Sequence, residues 1–354
     1  MTIQLSADER TLLVDSLRRL LEGNWPVEGA VEMAQDPAAV GRLSSSLCDM
    51  GLASLGANDG AGLSEALLVQ EELGRASCPA PLVGALLANL LLEGADDEAA
   101  RDFLAQVQAG QAVVAVALAS FDGDRSAGEA SFASGQLTAS LKFVEDVAVS
   151  SHLLVLTNAP LGVAVVPAND AGVVLTADPG LAVPALHSVT IVSAPLLWQS
   201  FNEEKLADAS QVMRLLTAAR ALGAAQRGFD LALDHAKVRR QFGHVIGEFQ
   251  AIQHKLADCF SRLDGVRLLL SGAAEAHDRG DGAWWVFTDA ALAFAGPALR
   301  QVALEVHHIL GAIGYAEEHE APRHFRRIHA DLIRFGGAAR ARGDLADYLL
   351  RPAV

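Results

Sequence analysis

The spacing of apolar residues changes character twice along the 354-residue chain, and those two changes constrain the fold more than any motif. Up to about residue 111 the pattern is helical. Ser6 followed by Glu9 predicts a capping box ahead of a helix over Leu12–Leu21. Further helices are expected over Leu43–Leu52 (ending at Gly51), Glu65–Gly74, Leu82–Leu92 and Ala99–Val107. Between 112 and 198 the pattern shortens to β-prone runs separated by Gly, Pro, Asn and Asp: Val113–Ala119, Gln136–Val144, Leu153–Thr157, Val163–Val166, Val173–Thr176 and Val189–Val192. Leu137, Ala139, Leu141 and Phe143 alternate as a half-buried strand should. No helical crossover separates these runs, which favours a barrel or sandwich over a parallel sheet.

After Trp198 helical spacing returns. Val212, Leu215, Leu216, Ala219, Leu222 and Gly223 mark one long helix, and Phe249, Ile252, Leu256, Cys259, Leu263, Val266 and Leu270 mark the next. A third is expected around Ala290–Ile309, opened by packing of Trp284 and Trp285. A loop over Gly311–Arg327 then leads to a last helix from Ile328. The expected fold is mainly α with a small β domain: a helical domain over 1–111, a β-barrel-like domain over 112–198 and a four-helix bundle over 199–354.

Charge and cysteine usage narrow the function classes. Lys and Arg number 27 against 43 Asp and Glu, a net charge of −16, which argues against a broad nucleic-acid surface or an anionic membrane partner. Cys48, Cys78 and Cys259 are odd in number and contain no C-x-x-C pair, which fits a reducing compartment better than a disulfide framework or a zinc site. The Gly-rich GANDGAGLS segment has no Gly-Lys-Ser/Thr and reads as a turn. The N-terminus has no signal-peptide pattern, and the most apolar run, Pro79–Leu92, is too short to span a bilayer. A cytoplasmic protein is expected.

One stretch concentrates chemistry. His235–Asp258, HAKVRRQFGHVIGEFQAIQHKLAD, reads as a helix end, a turn built on Gly243 and Gly247, and a new helix opening near Phe249. The turn places Arg239, Arg240 and Gln241 beside Phe242. Forked guanidinium donors suit phosphate, and Gln offers both donor and acceptor. The turn suits a nucleotide's pyrophosphate and adenine, and it equally suits a solvated basic surface. Histidines 307, 308, 319, 324 and 329 do not carry the i, i+4 spacing of a helical zinc pair, so no metal site is expected.

Arg239-Arg240-Gln241-Phe242-Gly243 followed by Phe249-Gln250, Gln253-His254 and Leu256-Ala257-Asp258 resembles the R-x-Q-F-G … F-Q-x-x-x-H-x-x-A-D signature of the acyl-CoA dehydrogenase family. Gly311-Ala312-Ile313-Gly314-Tyr315 with Glu318-His319 is similar to that family's G-G-x-G-[FY]-x-x-E-[HY] run, and Gln70-Glu71-Glu72-Leu73-Gly74-Arg75 to its E-E-L-G-R segment. The resemblance spans nearly the whole chain. It implies FAD as cofactor, with paired subunits and Arg239, Gln241 and Phe242 reaching the ADP portion of a neighbour's FAD. It further implies that His308, Gly311, Ala312 and Gly314 approach the adenosine. Here His308 stands where the family has Gln, and Ala312 replaces its second glycine.

The family's reaction removes a proton alpha to a thioester carbonyl while FAD takes hydride from the β carbon, which needs a carboxylate in a dry pocket. The region where most members keep that Glu is Arg334-Phe335-Gly336-Gly337-Ala338-Ala339, without an acid. The alternative family position falls near Met213. The carboxylates nearest in sequence are Asp208 and Asp344, expected at helix ends or on the surface, while Glu248 reads as an exposed first-turn Glu. The flavin-ring loop of catalytic relatives corresponds to Leu118–Asp124, shortened, with Ser120 and Asp124 as partial mimics. No catalytic residue is assigned. The implied function is a subunit of a flavin-dependent acyl-CoA dehydrogenase acting on a CoA thioester of a fatty acid or steroid side chain. Its partner, in a homo- or hetero-oligomer, is a second such subunit that supplies the base. A self-sufficient dehydrogenase with an atypical acid, or a flavin oxidase or monooxygenase on the same fold, stays open.

Overall fold

The structure is a computed structural model that describes residues 5–26, 29–34, 36–57, 60–79, 82–119, 128–158, 161–178 and 186–350. Six helices come first: α1 (Ala7–Asn24), α2 (Ala30–Met33), α3 (Pro37–Asp49), α4 (Leu63–Arg75), α5 (Leu82–Leu92) and α6 (Glu98–Gln108). The capping box forms as expected. Glu9 N–H donates to Ser6 Oγ, and the Ser6 N–H donates to Glu9 Oε2 at 2.8 Å. Met50 closes α3, and Gly51 turns the chain at φ +80. Helix α5 is apolar on nearly every side and buried accordingly. Its one amide, Asn89, donates to the carbonyls of Ala53 and Leu55 and accepts from Gln108, so its burial leaves no polar group stranded.

Among the described residues eight strands follow: β1 (Val114–Ala119), β2 (Gly128–Ala133), β3 (Gln136–Glu145), β4 (His152–Asn158), β5 (Leu161–Pro167), β6 (Val173–Ala177), β7 (Leu186–Pro195) and β8 (Trp198–Ser200). They form two four-stranded sheets, in orders β1-β4-β5-β8 and β2-β3-β7-β6. Ala115, Ala117, Leu153 and Val155 of one sheet share a core with Leu137, Leu141, Val189 and Ile191 of the other. One pair, β1 with β4, is parallel, and the chain joins those strands through the β2–β3 hairpin of the other sheet rather than through a helix. The expected alternation holds for Leu137, Ala139 and Leu141 and fails at Phe143. A register shift between Leu141 and Val144 turns Val144 inward and leaves Phe143 half-exposed at φ +58. Ser120, Phe121, Asp122, Gly123 and Asp124, expected as a flavin-ring loop, lie outside the described residues.

Helix α7 (Glu203–Val238) leads to a two-strand hairpin, β9 (Arg240–Gln241) and β10 (His244–Val245), then α8 (Gln250–Asp278) and α9 (Trp284–Leu310). Trp284 is buried against the His277 ring, and Trp285 meets Tyr348 edge-on. The segment expected as a loop up to Arg327 turns helical earlier: α10 covers Ala321–Ile333, and α11 covers Gly337–Leu350. Pro322 sits in the first turn of α10, where its missing N–H costs no helical bond. Among the described residues no helix is long and apolar enough to cross a membrane.

The chain forms two compact units, Met1–Ala66 with Cys78–Met213, and Leu67–Ser77 with Arg214–Val354. In the second unit the end of α4 crosses α7 with backbones in contact. A Cβ on Gly74 would stand 2.0 Å from the Arg220 carbonyl oxygen, and one on Gly223 would stand 1.8 Å from that of Glu71. Ion pairs flank the crossing, Arg75–Asp230 at 2.7 Å and Arg267–Glu71 at 2.6 Å. The E-E-L-G-R segment is therefore, in this chain, a helix-crossing motif.

Candidate functional site

The His235–Asp258 stretch folds as its composition demands. Helix α7 stops at Val238, and two residues on each side of Phe242-Gly243 pair, His244 with Gln241 and Val245 with Arg240. Both turn residues have positive φ, +54 at Phe242 and +82 at Gly243, as in a two-residue type I′ hairpin. Gly fits such a turn, whereas Phe is strained in it, at a cost of about 1 kcal/mol or more. That strained ring is also 91 % exposed. Its one ring neighbour is Phe249, at 6.4 Å.

The hairpin is fixed from behind. The Arg239 carbonyl accepts from Ile246 N–H at 2.8 Å, and Gly247 lets the returning chain lie against Ala236, whose carbonyl oxygen is 2.9 Å from where a Cβ would be. Gln253 donates to the Gly247 carbonyl. Arg239, Arg240 and Gln241 are exposed. Glu248 is exposed, as expected, and pairs with His244 at 2.9 Å, but it lies in the short turn before Phe249, the N-cap of α8, rather than in that helix's first turn.

His308, Gly311, Ala312 and Gly314 form a second cluster at the end of α9. Gly311 ends that helix at φ +63 with open space where a Cβ would be, and Ala312 is exposed. Gly314 is buried instead, and a Cβ there would stand 3.0 Å from the Leu310 Cβ and 3.7 Å from the His307 Cα. Two pairings bring the clusters to the same end of the antiparallel α8–α9 pair. Glu305 on α9 holds Lys255 near the start of α8 and accepts from His308 at 3.3 Å. Burial depresses the His235 pKa at the base of the hairpin, with repulsion from Arg239 and His319 adding to it.

Arg334, Gly337 and Ala338, from the segment where the family resemblance would put a base, lie at a different place. Arg214, Thr217, Leu292, Asp331, Arg334 and Ala338 line a small cleft among α7, α9, α10 and α11, partly open to solvent. Residues Arg334–Gly336 are a short 3-10 turn, and Gly336 and Gly337 take positive φ to start α11. Asp331, the carboxylate that lines the cleft among the described residues, and the two acids that approach its Arg214 are all engaged by arginine. Arg220 takes Asp331 through both oxygens, at 3.0 and 2.7 Å. Asp289, fully buried, meets Arg214 at 2.8 Å. Asp344 lies inside α11 rather than at a helix end, 3.7 Å from Arg214 and 3.3 Å from Arg340. Asp208 is half-buried along α7, also away from a helix end. Among the described residues no three His, Cys, Asp or Glu side chains gather to hold a metal ion.

Residues 207–350 match the family described as Acyl-CoA dehydrogenase, C-terminal domain. Over 334 residues the chain is 30 % identical to acyl-CoA dehydrogenase IpdE2 of Mycobacterium tuberculosis, covering 91 % of each, and it is 28 % identical to IpdE2 of Mycolicibacterium smegmatis. In fold it is similar to the ChsE4-ChsE5 complex from Mycobacterium tuberculosis, with a TM-score of 0.86, 21 % identity and 99 % of each chain covered. It is also similar to the Tcur3481-Tcur3483 steroid acyl-CoA dehydrogenase, with a TM-score of 0.85, 25 % identity, and 97 % of this chain and 98 % of that one covered. With hairpin, glycine run and arginine-held cleft built on this fold, the chain belongs to the acyl-CoA dehydrogenase family.

Proposed function

We propose that this chain is the companion subunit of a heteromeric acyl-CoA dehydrogenase, lending one half of an FAD site to a partner that carries the base. The observation that carries this reading is the cleft. Asp331, Asp289 and Asp344 each direct oxygens at a guanidinium, so none is placed to take a proton from a substrate carbon.

The cofactor half fits by the chemistry of its donors. Arg239 would grip pyrophosphate oxygens, Gln241 would hydrogen-bond the nucleotide, and exposed Phe242 would give an apolar face. Open backbone at Gly311 lets an adenosine approach. When bound, FAD supplies a hydride acceptor; this chain's residues bind and orient its ADP end. The partner has a surface to sit on. Phe260 and Leu268 on α8, with Phe287, Phe294 and Leu304 on α9, are exposed apolar side chains on two helices that end at the candidate site. The heteromeric complexes among the similar structures point to a second acyl-CoA dehydrogenase-like chain as occupant. The acyl group is of the bulky, steroid-derived class by the same likeness.

The test is purification of the chain alone and with its co-expressed partner, recording the visible flavin spectrum and its bleaching by acyl-CoA. Flavin retained only with the partner is expected. A yellow protein bleached by substrate from this chain alone overturns the reading.

A further inference from the structure

Helix α10 begins at a carboxylate held from two helices, α7 and α10 itself. Glu320 is its N-cap residue. The Arg227 guanidinium on α7 donates to both Glu320 oxygens, at 3.1 and 2.5 Å. His324, one turn on, is buried with Nε2 3.5 Å from the same carboxylate and Nδ1 3.1 Å from Ser77 Oγ. Ser77 holds φ +49, a left-handed conformation strained for Ser, at the end of the α4 crossing. The buried side chains Ser77 and His324 thus join α4 to α10, and Glu320 carries the connection on to α7.

Side chains fix the far end of the segment between α9 and α10: exposed Glu317 accepts from Arg326 at 2.8 and 3.0 Å, His319 accepts from Ala321 N–H, and the Glu320 contacts above are the buried tie. Its near end is secured where Gly311 N–H donates to His307 and where Tyr315 and Gly314 lie against the His307 side of α9. Beyond that the backbone makes only short turns, Ala316 to Ile313 and His319 to Ala316, and most of residues 311–319 are exposed. A segment with two glycines needs an external anchor to hold one conformation.

We infer that the Ser77–His324–Glu320–Arg227 relay is the positioning device for the Gly311–Gly314 run, fixing it for the adenosine end of the cofactor. The inference rests on the cofactor reading above. The relay touches neither cofactor nor substrate, so these are positioning residues. They also connect two of the sequence segments that mark the family, the stretch ending at Arg75 and the glycine run.

The test uses the complex with its partner, stripped of flavin and titrated with FAD, ADP and riboflavin. Two variants are compared, Glu320→Gln and the double variant Arg227→Met with Glu320→Leu. Removing both charges in favour of apolar groups of similar volume is close to neutral for stability, so the double variant separates positioning from folding. The expected result is roughly three- to thirtyfold weaker binding of FAD and of ADP alike, with riboflavin unchanged. Amides of 311–319 should also exchange faster with deuterium. A double variant with wild-type melting, FAD affinity and exchange overturns the inference even if Glu320→Gln fails to fold. A wild-type complex that binds neither FAD nor ADP sinks the cofactor reading instead, and the inference with it.

Discussion

Replacing Gly74 by Ala tests the α4–α7 crossing directly. The new Cβ would lie 2.0 Å from the Arg220 carbonyl oxygen, 2.8 Å from its carbon and 3.1 Å from its Cα. An ordinary contact needs about 3.4 Å, so the helices must part by more than about 1 Å in an interior packed to crystal density. Separation on that scale also stretches the Arg75–Asp230 and Arg267–Glu71 ion pairs and the Ser77–His324 hydrogen bond. Overpacking of this severity lies at the upper end of the usual range, about 3 kcal/mol or more. The higher helix propensity of Ala returns about 1 kcal/mol, leaving a net loss of about 2 kcal/mol or more. For a chain of this size that is a fall in melting temperature of at least about 3 °C. The control is Gly272→Ala, inside α8 with nothing within 4 Å of the new Cβ, which should stabilise by about 0.5–1 kcal/mol. Urea and thermal unfolding of both variants settle the matter. A Gly74→Ala protein as stable as wild type, beside a stabilised Gly272→Ala, would refute a backbone-contact crossing.

Other outcomes follow from the same geometry. Burial opposes ionisation of Glu320, but His324 and Arg227 outweigh it and pull its carboxyl from 4.5 down to about 2. The stability it contributes is therefore present above about 4.5 and is lost as the pH falls toward about 2. In acid titrations followed by circular dichroism, Glu320→Gln should flatten that limb by up to about 3 kcal/mol, and an unchanged limb would contradict the clamp. Arg239→Ala should weaken FAD retention by the partnered complex roughly tenfold or more, with melting of the chain alone unaltered. Unchanged retention would remove Arg239 from the cofactor site. Burial pushes the Cys259 thiol up to about 11, so it should resist a disulfide reagent at neutral pH until the protein unfolds.

The parts of the fold set by local chemistry were legible. The capping box of α1, the all-apolar α5 and the turn after α7 each announce themselves within a few residues. What escaped depends on partners elsewhere in the chain. Strand β2, GEASFA, has weak β propensity and is made a strand by its pairing with β3, while β8 is three residues paired to β5. The start of α10 was hidden by Pro322 and by a run of His and Arg whose ion pairs and burial only the folded unit supplies. At the candidate site the hairpin could be placed from sequence, because Phe242-Gly243 between short strands is a local event. The fate of the acids could not. Asp344 lies nearest in sequence to the expected base position, and beside its helical neighbour Arg340 it faces Arg214, far back along α7, which sequence spacing does not show.

The Leu67–Ser77 stretch belongs to the second compact unit although most of that unit begins at Arg214. During synthesis it leaves the ribosome long before the helix it must touch, and it keeps an unfilled glycine face until Gly223 arrives. Closing so long a loop is slow compared with pairing neighbouring helices. The late-made bundle is then completed by an early-made segment, which ties its assembly to the rest of the polypeptide. A fragment cut at residue 199 would lack one wall and expose the groove along Gly223. A fusion or circular permutation that returns residues 67–77 to that groove is the minimal route to a self-standing bundle.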